Sequence, residues 1–201
     1  MKYRFLHHLI TITKHRNQVI RNASHCGIFF HALKHDLTKY GPTEFITSAK
    51  YYAGTHSPVD EERRSNHYFS KVCQHHTRRN KHHWEYWTDF YWGRVIAKQM
   101  PYKYAIEYVC DMLSASKTYN PKSFSGETTL AYFEARKERY YMASGTKEFV
   151  EWCLTRYRDL GWKGLKKKDT LAAYREISAK HPLVEIFETS LASGELPPLK
   201  G

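Results

Sequence analysis

His35 and Asp36 stand side by side in Ala32-Leu33-Lys34-His35-Asp36-Leu37-Thr38-Lys39, so an imidazole nitrogen and a carboxylate oxygen can reach one cation from adjacent positions. A His-Asp dipeptide alone is common, and its surroundings carry more weight. The chain holds 13 histidines in 201 residues, among them His15, His25, His31 and His35, then the doublets His75-His76 and His82-His83. The doublets bracket Thr77-Arg78-Arg79-Asn80-Lys81. Imidazole is the commonest neutral ligand for transition metals and is costly to bury unpaired, so a shared metal centre accounts for the concentration. A solvated basic helix end with incidental histidines accounts equally well for the doublets alone.

Asp111 is the odd residue of its own segment. It lies among the apolar stripe Ile106, Val109, Cys110 and Leu113 of a helix that Pro101 opens and Asn120-Pro121 closes. A carboxylate there is paired or coordinated, or it turns outward. Glu44 and Glu85 are the carboxylates nearest the histidine motifs, and either can orient a ligand imidazole. Trp84, Tyr86 and Trp87 follow a polar turn and read as core anchors in preference to stacking platforms.

The elements that must position these residues are helical. Apolar groups at Phe5, Leu9, Ile12, Val19 and Ile20 mark a first helix over 3–22 that also brings His8, Ile12 and His15 near one face. A second helix is expected over 28–37, with His31, His35 and Lys39 on one face, ending before Gly41-Pro42. Helices follow over 43–52, from Val59 toward His76 with Asp60 as N-cap, and over 101–119, 127–139, 147–160 and 170–179. No segment is rich in strand signals, so the class is all-α.

Hydrophobic residues at 41% and aromatics at 15% suffice for one sizeable core. No apolar run reaches membrane-span length and no export signal is visible, so the expected address is the cytoplasm and no membrane partner is expected. Cys26, Cys73, Cys110 and Cys153 are widely spaced without a Cys-x-x-Cys, which argues against a zinc knuckle or a disulfide scaffold. A net charge of +12 calls for anionic partners. Lys166-Lys167-Lys168 reads as a solvated loop, whereas Arg78, Arg79 and Lys81 sit among the histidines and suit phosphate, because a guanidinium fork meets its oxygens in pairs.

The order His15, His35-Asp36, histidine cluster, Asp111 resembles that of the HD-domain metal-dependent phosphohydrolases. His35-Asp36-Leu37-Thr38-Lys39 is similar to their His-Asp-x-x-Lys form, and Val109-Cys110-Asp111-Met112-Leu113-Ser114-Ala115 to the helix that delivers their last aspartate. The doublets resemble the extra ligands of two-metal members. The blocks 35–45, 75–87 and 100–119 also resemble an uncharacterised bacterial and phage family. The resemblance implies an HD-domain-like helical core over 1–120, with additional C-terminal helices over 121–201 packed on the same domain. It implies one or two divalent ions (Mn, Fe, Co, Ni, Zn or Mg) held by His15, His35, Asp36, His76, His83 and Asp111, with His31, His75, His82 and Glu44 as alternates. Asp36, Asp111 and Lys39 are then the catalytic set, and Lys39, Arg78, Arg79 and Lys81 bind the substrate. Lys39 would meet a phosphate oxygen or the attacking water, or else is a solvated helix-end lysine. The substrate expected is a nucleotide or other phosphorylated small molecule, with nucleic acid as a further partner class. The glycine-tyrosine-proline extension of cyclic dinucleotide hydrolases is absent, which speaks against that substrate. Two other readings stay open: a di-iron HD-type oxygenase, and a basic nucleic-acid-binding module in which the histidines are incidental.

Overall fold

A computed structural model describes residues 2–191 of the chain. The first helix, α1 (Lys2–His25), buries His8, Ile12, His15, Val19 and Ala23, the spacing of one helical face. Gly27, at φ +70°, turns the chain out of it, and a Cβ there would stand 2.9 Å from the Lys167 side chain. A single short turn, α2 (Phe29–Ala32), follows, then α3 (Pro42–Lys50), α4 (Pro58–Ser65) and α5 (Lys71–Thr77). The central helix, α6 (Tyr102–Tyr119), packs between α1 and α8 (Ser144–Leu160), while α7 (Gly126–Lys137) and α9 (Lys167–Ala179) flank α8. One apolar cluster joins Val19, Ile106, Val109 and Leu113 to Leu130, Phe133, Phe149 and Leu154, so the residues after 120 share a core with those before it.

The all-α class holds, with three departures in detail. The helix expected over 28–37 stops at Ala32, because Asp36 adopts the left-handed conformation (φ 53°, ψ 25°) and a single 3-10 turn (Leu37–Tyr40) follows. His31, His35 and Lys39 therefore do not share one helical face. Asp is among the few residues that tolerate this conformation. The helix expected from Val59 to His76 is broken at 66–70, where His67 and Tyr68 have φ of 48° and 67°. Ser57 caps α4 in place of Asp60, and Ser70 caps α5 by accepting from Cys73 N at 2.9 Å.

The third departure is a small antiparallel sheet. Strands β1 (Thr88–Tyr91) and β2 (Arg94–Lys98) form a hairpin, and β3 (Val184–Glu188) pairs on the other edge of β2. The hairpin turn is Trp92-Gly93, both at positive φ (49° and 71°), which matches the right-handed twist of paired strands. Ile96 opposes both Asp89 and Ile186 across the sheet. Strands of four and five residues leave too short a period-two signal to stand out among helices.

His8 gives the fold a titratable weak point. It is 4% exposed, packed between the rings of Phe45 (5.4 Å) and Tyr52 (5.5 Å). Burial, helped by the Lys39 charge, lowers its pKa from 6.5 to about 4. The folded state thus prefers neutral imidazole, so its contribution is complete above pH 6.5 and is lost as the pH falls toward 4. A shift of this size corresponds to roughly 3 kcal/mol. Urea denaturation at pH 7 and pH 4.5 should show a smaller loss of stability in His8→Phe than in the wild type, and equal losses would remove this assignment.

Candidate metal centre

Four segments deliver one cluster. On α1, His15 projects inward, while the neighbouring Arg16 donates to the carbonyls of Leu33 and His35 and so holds the 33–36 turn against the helix. That turn presents His35 and Asp36, both 1% exposed, and its left-handed Asp36 points the carboxylate inward. The segment from α5 through the following turn supplies His76, His82 and His83. Asn80 pins that turn, its Nδ2 donating to His76 O and to Thr38 Oγ1, each at 2.9 Å. α6 supplies Asp111.

Asp36 is the hub. Its Oδ1 lies 3.2 Å from His76 Nε2 and 3.4 Å from His82 Nε2, and its Oδ2 lies 3.2 Å from His35 Nε2. His15 Nε2 is 2.8 Å from Asp111 Oδ1, and Asp111 is 3.8 Å from both His35 Nε2 and His82 Nε2. Asp36, His76, His82 and His83 form one group and His15, His35 and Asp111 another, with ligand atoms in each group within 4.8 Å of one another. The Nε2 atoms of His15, His35, His76, His82 and His83 and Oδ1 of Asp36 are buried without a partner in hydrogen-bond geometry, while Asp36 Oδ2 meets the Lys39 ammonium. Each such group costs about 1–3 kcal/mol unless something satisfies it. A cation held among nitrogen and oxygen donors satisfies them together, so the residues present fit a metal ion.

Behind the donors stands a ring of carboxylates. Glu44 accepts from Nδ1 of His75 and of His76, both at 2.8 Å, and Glu107 accepts from His35 Nδ1 at 2.9 Å and from His31 Nε2 at 2.8 Å. These bonds fix the tautomer that leaves Nε2 of His35 and His76 free to ligate. Burial works against charge throughout, but partners decide the outcome. For Asp36 it is outweighed by His35, Lys39 and His76, and for Asp111 by His15, His35 and His82, so both carboxyls lie well below the usual range. Against the same burial, Asp36, Glu107 and Asp111 raise His35 to about 10. Burial and the His35 charge lower His82 to about 3, and burial with His82 and His76 lowers His83 well below its ordinary value. The carboxylates thus face two imidazoles that burial keeps neutral, His82 and His83, and two that Asp36 and its neighbours bias toward the charged form, His35 and His76.

The sequence-derived ligands His15, His35, Asp36, His76, His83 and Asp111 are all brought together. Of the alternates, His82 joins them as a central donor, 3% exposed, whereas His31, His75 and Glu44 stand in the outer ring. Lys39 Nζ reaches Asp36 Oδ2 at 2.5 Å, with its side chain 31% exposed. Arg78, Arg79 and Lys81 are exposed: Arg78 lines a cavity beside the centre, and Lys81 Nζ lies 5.5 Å over the Tyr86 ring. Glu85 does not orient His83, since Oε2 stops 4.0 Å from its Nδ1, and burial raises the Glu85 pKa. Glu107 was missed. It lies four residues before Asp111 on α6 and is 4% exposed, and that i, i+4 carboxylate pair on an otherwise apolar face was the available signal.

Fold and site together define a mostly helical protein with buried histidine and carboxylate groups able to hold a metal ion. The chain belongs to a family of unknown function, DUF5662, whose match runs over residues 4–156 and so takes in every residue of the cluster. No curated protein and no solved structure matches it. Among the described residues, no helix is long and apolar enough to cross a membrane.

Proposed function

We propose that this chain is a metal-dependent phosphohydrolase of the HD-domain type, acting in the cytoplasm on a nucleotide or related phosphate ester. The observation that carries the reading is the convergence of buried imidazole Nε2 atoms without hydrogen-bond partners on the two buried oxygens of Asp36. His15, His35 and Asp111 would hold one ion and His76, His82 and His83 a second, with Asp36 shared because its two oxygens face the two groups. A donor set this rich in imidazole favours Mn, Fe, Co, Ni or Zn over Mg. A bound ion supplies Lewis acidity and water acidic enough to give hydroxide near neutral pH.

The chain's own residues supply the remaining requirements. Lys39, held charged by Asp36 and Asp111 against burial, carries a cation from the carboxylate hub to the solvent edge, where a phosphate oxygen can meet it. Glu44 and Glu107 keep His76 and His35 presenting Nε2. The test is phosphate release from a panel of nucleotides and cyclic nucleotides with each divalent metal in turn. Lys39→Met should lose about ten- to a hundredfold in turnover with metal content unchanged. No hydrolysis with any metal, together with dioxygen consumption by the iron form, would replace this reading with the oxygenase one. Metal-independent nucleic-acid binding without turnover would replace it with the binding-module one.

A further inference from the structure

The segment that carries His76, His82 and His83 is organised around a single carbonyl. His76 O accepts from the backbone N–H of Arg79 at 3.1 Å and of Asn80 at 3.0 Å, and His83 N–H donates to Asn80 O at 3.1 Å, so the turn bearing His82 and His83 is wound onto the end of α5. Asn80 is buried, and its side-chain amide has two protons to place. One goes to His76 O and the other to Thr38 Oγ1, each at 2.9 Å. The first bond holds the three-histidine unit together, and the second ties it to the turn that carries Asp36.

Thr38 stands two residues after Asp36, in the 3-10 turn. Its hydroxyl oxygen accepts from Asn80 and lies 3.4 Å from His76 Nδ1, and its own proton is left for Glu44. Against burial, the bond and charge of His76 and the bond of Thr38 hold the Glu44 carboxyl below its ordinary range. Glu44 in turn accepts from His76 Nδ1 at 2.8 Å. One hydroxyl thus meets both supports of His76, the amide that grips its carbonyl and the carboxylate that orients its ring. The other donor group is supported from elsewhere: Arg16 holds the His35 turn against α1, and Glu107 orients the His35 ring. We propose that Thr38 is a positioning residue that sets His76, His82 and His83 against Asp36, and so governs one of two metal positions while leaving the other unchanged. The proposal rests on reading the cluster as a two-ion centre.

The test is titration of the metal-free full chain with cobalt(II), followed by calorimetry and by visible absorption, which reports the donors around each ion. The wild type should bind two ions. Thr38→Val keeps the branched shape and removes the hydroxyl. It should weaken one binding step about 10- to 100-fold, the usual cost of losing a contact that orients a ligand, and leave the other step and its spectrum unchanged. Thr38→Ser should restore both. Asn80→Ala breaks the same joint from the other side and should weaken the same step, and the double substitution should cost less than the two single ones combined. Should Thr38→Val fail to fold, the Asn80→Ala titration decides. Wild-type affinity at both steps, both steps weakened alike, or a Thr38→Ser variant no better than Thr38→Val would overturn the role of Thr38 and leave the metal centre standing. A wild type that binds one ion overturns the two-ion reading and the proposal with it, and one that binds none removes the centre.

Discussion

Asp36→Asn is expected to strip the protein of tightly bound divalent metal while leaving its helices folded. Both oxygens of Asp36 are buried, Oδ2 also meets the Lys39 ammonium, and they face His35, His76 and His82 at 3.2–3.4 Å. Among the described residues, no other carboxylate touches both donor groups so closely. The amide keeps the volume but loses the anionic charge, and one of its two ends becomes a donor aimed at the site. Loss of a carboxylate that merely orients a ligand weakens metal binding about 10- to 100-fold, so loss of the hub should exceed that range. Elemental analysis after dialysis against trace metal, with circular dichroism on the same sample, reads the result. Wild-type metal content in a folded Asp36→Asn would refute the site, and Asp36→Ala should behave alike if the carboxylate is what matters.

How much of this was legible in the sequence depends on how local each signal is. The long helices carry several turns of periodic burial, as in His8, Ile12, His15, Val19 and Ala23, and such patterns survive any tertiary arrangement. The 33–36 turn is a different case. Its helix-compatible sequence is overridden by Arg16 reaching its carbonyls and by the inward demand on Asp36, contacts that link residues far apart in the chain. The sheet was hidden for the same reason, since β2 finds its second partner only at β3, close to the end of the described residues. The cluster itself was readable because histidine doublets and a misplaced aspartate break the apolar pattern. Which doublet member faces inward was not, because adjacent residues differ by a rotation that only the turn after α5 settles. His76, His82 and His83 go in, while His75 bonds Glu44 from outside.

Glu107→Ala should be the most destabilising single change in the outer ring, and it decides on which side of His35 the metal sits. Glu107 is 4% exposed and accepts from His31 and His35, and its oxygen lies 3.6 Å from His82 Nδ1. Burial opposes its charge, but His31 and His35 keep its carboxyl below the usual range. Removing it leaves the raised-pKa His35 without one of its anionic partners, and breaking a buried pair in this way costs about 3–5 kcal/mol. Glu107→Gln, which still accepts from His35 Nδ1, should cost less. The position of Glu107 admits two roles. It shares ligand-compatible spacing with His35 and His82, yet it meets them on their Nδ1 sides, whereas Asp36 and Asp111 meet the Nε2 sides. If the ion sits among the Nε2 atoms, Glu107→Gln lowers affinity about 10- to 100-fold with the number of ions per chain unchanged. If Glu107 is itself a ligand, the saturating stoichiometry falls. Metal titrations of both variants, paired with melting curves in chelator, separate the outcomes, and the unpartnered Nε2 atoms favour the first.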